Sequence, residues 1–335
     1  MMKISKEKLK GIISTILPPP ISNSLLDSYR SYAARERRVS YGSENKDKTF
    51  YVIGLHSAST GLFGVIIKNL MHIAYAIDNG WIPVVDMQNF RTFYRDSENT
   101  ATNNVWEYYF NQPMGYDLND IKDSKNIVLS KRPANHWPNE KHSMMLHLGF
   151  CNDVNRIEYY NQLYHKYITY NSHTQEYISN EYDKIMSGKG RVVGVLCRGT
   201  DYVMAAPKGH SIQPNPLDII EKTKQVMEEY NCDYVYLSTE DEENYQLFKS
   251  AFKDKLLVNK QDRIQKKDIS QGEWIFQIKE KSNANARSGL EYLSSLNILS
   301  KCTCFIAGQT GGTVGVLFMT DGFEYKYVYD LGCFN

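Results

Sequence analysis

The sequence predicts an α/β fold made of two doubly wound domains that face a cleft. Three observations carry that prediction. Residues Val192 to Cys197 form a continuous apolar run, the signature of a parallel strand buried on both faces. In the first half, a strand, a small-residue loop, an apolar-striped helix and a second strand follow one another within about forty residues, a βα-β unit. A second alternation of the same kind begins at Arg191, so each half of the 335-residue chain carries its own α/β pattern. Two halves of similar length are long enough for separate cores with a ligand cleft between them.

The elements read as follows. Residues 1–48 are a basic N-terminal segment and lead-in, 49–187 a first α/β domain and 188–335 a second. Met1 to Leu17 carries Lys3, Lys6, Lys8 and Lys10 among Ile4, Leu9, Ile12, Ile13 and Ile16, a basic amphipathic helix stopped by Pro18-Pro19-Pro20. Such a helix can lie on anionic lipid; packing on its own domain is the competing reading. Thr49–Leu55 is the first strand, His56–Gly64 a loop, Val65–Ile77 a helix and Trp81–Met87 the second strand. A further strand is expected at Ile127–Ser130. Asn155–Met186 has helical spacing and leads into a linker at Ser187-Gly188-Lys189-Gly190. In the second half, strands are expected at Val192–Cys197, Asp233–Thr239, Lys255–Val258, Cys304–Ala307 and Tyr325–Leu331. The intervening helices fall at Pro216–Tyr230, Asp241–Phe252, Ser288–Lys301 and Gly312–Met319, with a polar stretch at Gln261–Asn285.

Composition narrows the function class. Lys and Arg number 39 against 38 Asp and Glu, so nothing points to nucleic acid as a partner. No apolar run is long enough to span a bilayer and no secretory h-region is seen, which leads us to expect a cytoplasmic protein. The six cysteines lie mostly in strand-like runs and are expected to be reduced thiols. Cys302 and Cys304 lack a second Cys/His pair that would make a zinc site.

Three loops fall at strand carboxyl ends, where one fold would bring them to one rim. Arg198-Gly199-Thr200-Asp201 ends the Val192 strand, and an arginine there offers a planar fork suited to phosphate oxygens. Ser238-Thr239-Glu240-Asp241 follows the next strand, where a plain helix N-cap is the competing reading. Gly308-Gln309-Thr310-Gly311-Gly312-Thr313 opens a helix and presents N–H groups and hydroxyls to an anion. An Arg opposite a Gly/Thr helix start suits a diphosphate held without metal. No D-x-D occurs in the chain, so a carboxylate-held divalent ion on that diphosphate is not expected.

These residues resemble the GT-B-type fucosyltransferases, which include the α-1,2- and α-1,6-fucosyltransferases, the rhizobial nodulation fucosyltransferase and the protein O-fucosyltransferases. Gly194 to Val203 resembles their G-V-H-x-R-R-x-D motif, Tyr236 to Asp241 their A-T-D-D step, and Leu299 to Gly308 through Thr313 their later strand and phosphate turn. Gly61-Leu62-Phe63-Gly64 and Pro83-Val84-Val85-Asp86 resemble the glycine loop and P-V-V strand of the first domain. The resemblance implies two Rossmann-like domains and a donor site in the second. It also implies that Arg198 binds the donor's β-phosphate. The second arginine of the pair is Gly199 here, the motif histidine is Leu196, and the glycine-loop asparagine is Val65. The acidic base of the α-1,6 enzymes falls on Ala206, and the acid that grips guanine falls on Ser295, with Glu291 one helical turn earlier.

The expected function is therefore inverting, metal-independent transfer of fucose from GDP-fucose to a glycan or lipid-linked glycan, in bacterial surface-polysaccharide synthesis. The alternatives are another sugar nucleotide, or a non-catalytic glycan- or nucleotide-binding relative. Arg198, Asp201, His210 and His56 are the candidate catalytic residues, the last three as candidate bases. Gly199, Thr200, Thr239, Glu240, Glu291, Ser295, Thr310, Gly311, Gly312 and Thr313 are the candidate donor-binding residues.

Overall fold

In a computed structural model of the chain, residues 35–54, 61–88, 92, 94–95, 102–130, 137–144, 149–199, 206, 208–259, 263–265 and 286–335 are described. The expected helix at 1–17, the strand–loop residues 55–60 with His56, residues Thr200 and Asp201, and most of the polar stretch 261–285 lie outside them.

The first half builds a four-stranded sheet in the order β1-β4-β2-β3, from β1 (Arg37–Val39), β2 (Phe50–Ile53), β3 (Ile82–Val85) and β4 (Ile127–Leu129). β2 is central, parallel to β3 and to β4, while β1 runs antiparallel along the outer edge of β4. Burial on both faces explains why β2 and β4 read as unbroken apolar runs. β1 was not expected: its Arg37-Arg38-Val39 is exposed and polar, as an edge strand can be. Helix α1 (Leu62–Asp78) crosses from β2 back to β3.

The long helix expected over Asn155–Met186 is two helices, α2 (Val154–Tyr167) and α3 (Ser172–Met186). The break has a local cause. The Asn171 side chain caps α3 by accepting the Thr174 N–H at 2.9 Å, and Tyr170 bridges to Phe110 instead of continuing the helix.

The second half is a five-stranded, all-parallel sheet of β5 (Val192–Leu196), β6 (Tyr234–Ser238), β7 (Leu256–Leu257), β8 (Cys304–Gly308) and β9 (Tyr325–Tyr329). Helices α4 (Pro216–Glu229), α5 (Glu242–Phe252), α6 (Ala286–Ser300) and α7 (Gly311–Met319) connect them. The spatial order is β7-β6-β5-β8-β9. The chain thus winds outward from β5 to β7, then returns to the other side of β5. That reversal places a crevice at the carboxyl ends of β5 and β8, the position where open α/β sheets bind ligands.

The two halves do not have fully separate cores. One apolar cluster runs from Phe63, Leu70 and Tyr160 in the first half to Leu293, Phe305 and Leu317 in the second. Helix α7 packs on α1 and α2, and α6 packs on α3. All six cysteines are free, and burial pushes the thiols of Cys197, Cys302 and Cys304 up, the last to about 12. Among the described residues no helix is long and apolar enough to cross a membrane.

Candidate active site at the crevice between β5 and β8

Arg198 leaves the end of β5 one residue after buried Cys197 and is held from the neighbouring strand. Its Nε lies 3.2 Å from Oε1 of Glu240, which follows β6; the approach is off the N–H axis, so the contact is an ion pair and not an aligned hydrogen bond. The same carboxylate oxygen accepts the Gly199 N–H at 3.1 Å. Glu240 therefore fixes the direction in which the strand end and its guanidinium point. Gly199 is required by close approach. A Cβ there would stand 2.5 Å from Oδ2 of Asp241 and 2.7 Å from Nδ2 of Asn244. The position that resembles the family's second arginine is closed by the cap of α5.

The turn after β8 sits over the end of β5, since a Cβ on Gly312 would stand 3.2 Å from Leu196 Cδ2. Its hydroxyls are occupied. Thr310 Oγ1 accepts the Thr313 N–H at 3.1 Å and lies 3.0 Å from Thr313 Oγ1, which itself donates to the Gly308 carbonyl. The threonines shape the turn. The first-turn backbone N–H groups of Gly311 and Gly312 have no carbonyl within the helix to accept them, the arrangement that suits an anion.

The first half meets this turn. The Gly64 backbone nitrogen lies 3.9 Å from where a Cβ on Gly311 would sit, so the N-termini of α1 and α7 converge. The Phe63 ring fills the space beside Gly315 and packs edge-on against Tyr292 of α6, with ring centroids 5.7 Å apart. Buried Tyr94 accepts the Leu62 N–H at 3.0 Å. Burial raises its hydroxyl pKa, and Tyr292 borders the same turn, its hydroxyl 2.6 Å from where a Cβ on Gly312 would stand. Arg95, bonded to the Met87 and Gln88 carbonyls, anchors Tyr94 to the end of β3.

Arg198, Gly199, Glu240 and Thr310 to Thr313 thus share one rim. Thr239 is there too, but its buried hydroxyl accepts the Asp241 N–H at 3.2 Å and serves the α5 cap. Ser295 is fully buried and its Oγ accepts the Asn259 amide at 2.7 Å, while Asn259 in turn accepts the Tyr236 hydroxyl at 3.1 Å. Glu291 on the same helix pairs with Arg287 Nε at 3.1 Å. His210 is exposed, in a segment whose backbone pairs with Phe334 near the C-terminus. Ala206, on the position of the family's acidic base, holds a left-handed φ of 39°. Sequence reasoning missed Tyr94, Tyr292 and Asn259. No motif marks them, and only the crossing of the two halves and the course of the chain after β7 bring them to this rim.

Neither a family model nor any curated protein matches the sequence. The solved structures that the chain is similar to include the following three. One is the α-1,6-fucosyltransferase NodZ co-crystallised with GDP, an enzyme from Bradyrhizobium, at 12% identity and TM-score 0.46 over 81% of this chain and 92% of that one. Another is a mutant of Arabidopsis thaliana FUT1 in complex with GDP, at 10% identity and TM-score 0.48 over 86% of this chain and 71% of that one. The third is POFUT1 in complex with GDP-fucose, at 9% identity and TM-score 0.46 over 86% and 99%.

Proposed function

We propose that the chain is an inverting, metal-independent glycosyltransferase that moves fucose from GDP-fucose to a glycan hydroxyl. One observation carries the reading: Arg198 and the start of α7 flank the point where the strand order of a parallel sheet reverses, with the start of α1 facing them. That arrangement gathers a planar cation and two helix N-termini around a position for a diphosphate. In the reaction the acceptor oxygen bonds to the anomeric carbon from the face opposite the diphosphate. The anomeric C–O bond breaks, and its electron pair leaves on the β-phosphate oxygen. Arg198 and the Gly311 and Gly312 N–H groups stabilise that charge where it develops. The acceptor proton goes to a base in the cleft, for which Asp201, His56 and His210 are the candidates. A pocket at the carboxyl edge of the first sheet, lined by Tyr41, Val52, Gly54, Asp86 and Ser130, is the place for the acceptor. A bacterial surface-polysaccharide role, with a lipid-linked acceptor and residues 1–17 on the inner face of the membrane, fits this chemistry.

A thermal-shift series with GDP, UDP, dTDP, ADP and CMP tests the donor. At a hundred times its Kd the preferred nucleotide stabilises the fold by about 2.7 kcal/mol. Arg198→Ala abolishes turnover with the fold intact, and Arg198→Lys restores little because a point charge lacks the fork. Wild-type turnover in Arg198→Ala, or tighter binding of UDP than GDP, refutes the reading. Gly199 and Ala206, in place of a second cation and an acid, favour a second reading as a non-catalytic binder. Donor hydrolysis, present in an enzyme and absent in a binder, separates the two.

A further inference from the structure

Resting on the nucleotide reading above, we propose that Arg263 selects guanine, its Nε/Nη2 edge taking the paired O6 and N7 acceptors of the base. The residue belongs to no motif in the sequence. Its backbone is nonetheless fixed at the rim: the Ile264 N–H donates to the Glu240 carbonyl at 2.8 Å, and the Glu242 N–H donates to the Ile264 carbonyl at 3.1 Å. Asp241 and Ile264 pair as parallel strands do. Residues 263–265 therefore lie beside the end of β6, about 5 Å from Asp241 by the usual strand spacing, and the Asp241 carboxylate in turn borders Gly199. In a doubly wound sheet the end of the second strand is the nucleoside side of the crevice, with the diphosphate at the end of the first.

The guanidinium is set in place before any ligand arrives. Its Cζ lies 4.0 Å from the centre of the Tyr245 ring, a stack that fixes the plane of the fork. Nε and Nη2 are both buried and have no hydrogen-bond partner among the described residues. Those two atoms share one edge of the guanidinium, so what lacks a partner is a complete bidentate donor edge. Leaving it so costs stability, because a desolvated donor on a charged group loses its water without replacement. Burial lowers the pKa of Arg263 accordingly, with Tyr245, Glu242 and Tyr236 acting the other way. A parallel pair of acceptors removes the cost. Guanine presents one in O6 and N7, whereas adenine sets an amino donor beside N7. Four residues upstream, Asn259 bonds Ser295 and approaches the Glu291 carbonyl, so the same stretch of chain also borders the helix carrying Glu291.

Calorimetry on the full chain tests this with GDP, ADP and pyrophosphate against wild type, Arg263→Gln and Arg263→Lys. The expected result is a GDP affinity lower by roughly 10- to 100-fold in both variants, the worth of one bidentate base contact. Pyrophosphate affinity stays at the wild-type value, and the preference for GDP over ADP collapses. Unchanged GDP affinity, or equal losses for GDP and pyrophosphate, overturns the assignment of Arg263 to the base. Unchanged pyrophosphate binding also reports that each variant is folded, and Arg263→Lys carries the test should Arg263→Gln fail to fold. A wild-type chain that binds neither GDP nor pyrophosphate refutes the nucleotide reading itself, a result distinct from the failure of Arg263 alone.

Discussion

Replacing Gly199 by alanine tests whether close approach to the cap of α5 is what requires a glycine after Arg198. The new Cβ would stand 2.5 Å from Asp241 Oδ2 and 2.7 Å from both Asp241 Cβ and Asn244 Nδ2. Both neighbours are buried. Asp241 is fully buried, and its Oδ1 accepts the Asn244 N–H at 3.0 Å as the cap of α5. Overpacking of this kind costs about 1–3 kcal/mol, and a displaced cap adds about 1 kcal/mol. Alanine also restricts the unfolded chain, which offsets about 0.4–1 kcal/mol. The net expectation is a loss of about 2 kcal/mol, and more for Gly199→Arg. Urea unfolding followed by tryptophan fluorescence reads this as a lowered midpoint at unchanged slope. Gly54→Ala is the control, since a Cβ there meets nothing within 4 Å. If Gly199→Ala and Gly54→Ala unfold at the same midpoint, close approach does not explain the glycine.

Three further outcomes are expected. Turnover persists in excess EDTA without added Mg²⁺ or Mn²⁺, because no D-x-D is present to hold a divalent ion on the diphosphate; a strict metal requirement would place the donor elsewhere. Glu291→Gln weakens GDP binding by roughly 1.5–3 kcal/mol with pyrophosphate inhibition unchanged; equal GDP affinity by calorimetry would make Glu291 only the helix partner of Arg287. Stability falls as pH drops below the ordinary histidine value of about 6.5, because burial above all lowers the pKa of His142 and the unfolded chain takes up the proton first. Its Nε2–H donates to Asp78 and its Nδ1 accepts the Tyr160 hydroxyl, so His142→Gln should flatten the slope of Tm against pH between about 7 and 5; an unchanged slope would assign the loss to other groups.

Much of the fold was legible because burial on both faces leaves a plain mark. Val192 to Leu196 and Cys304 to Gly308 are entirely buried strands and read as apolar runs; Arg37 to Val39 is an exposed edge strand and reads as lead-in. The division of Asn155–Met186 was hidden, because Thr169-Tyr170-Asn171 interrupts a helical pattern without glycine or proline and the Asn171 cap shows only in three dimensions. Arg198 and the glycine-rich turn were legible as strand-end loops, and the structure brings them to one rim. Their neighbours were not legible in this way. Glu240 reads as a helix-cap acid until its carboxylate is seen on Arg198 and on the Gly199 N–H. Thr310 and Thr313 read as anion-binding hydroxyls, yet their oxygens are committed to the turn. Arg263 lies within a polar stretch with no pattern, and only the pairing of its neighbour Ile264 with Glu240 and Glu242 brings it to the rim.

Under the proposed function, the charge arrangement accommodates a carboxylate beside a diphosphate. Glu240 offsets the charge of Arg198, and by that measure alone the crevice would be neutral and a poor host for a diphosphate. The N-termini of α1 and α7 alter the balance. Each helix end behaves as roughly half a positive charge, and the two converge where Gly64 meets Gly311. Together they supply about one fixed positive charge that no side chain can carry away or re-orient. Glu240 then costs the site little and contributes geometry: it holds the guanidinium and the Gly199 amide in one direction, so the fork is aimed before the donor binds. In the proposed reaction, preorganised dipoles of this kind would act on the charge that develops on the departing phosphate oxygen without having to reorganise as it forms. On that reasoning Glu240→Gln should leave GDP affinity similar or tighter while lowering kcat, since it removes a competing charge and loosens the aim of Arg198. A variant with weaker GDP binding and unchanged kcat would show that Glu240 contacts the donor directly.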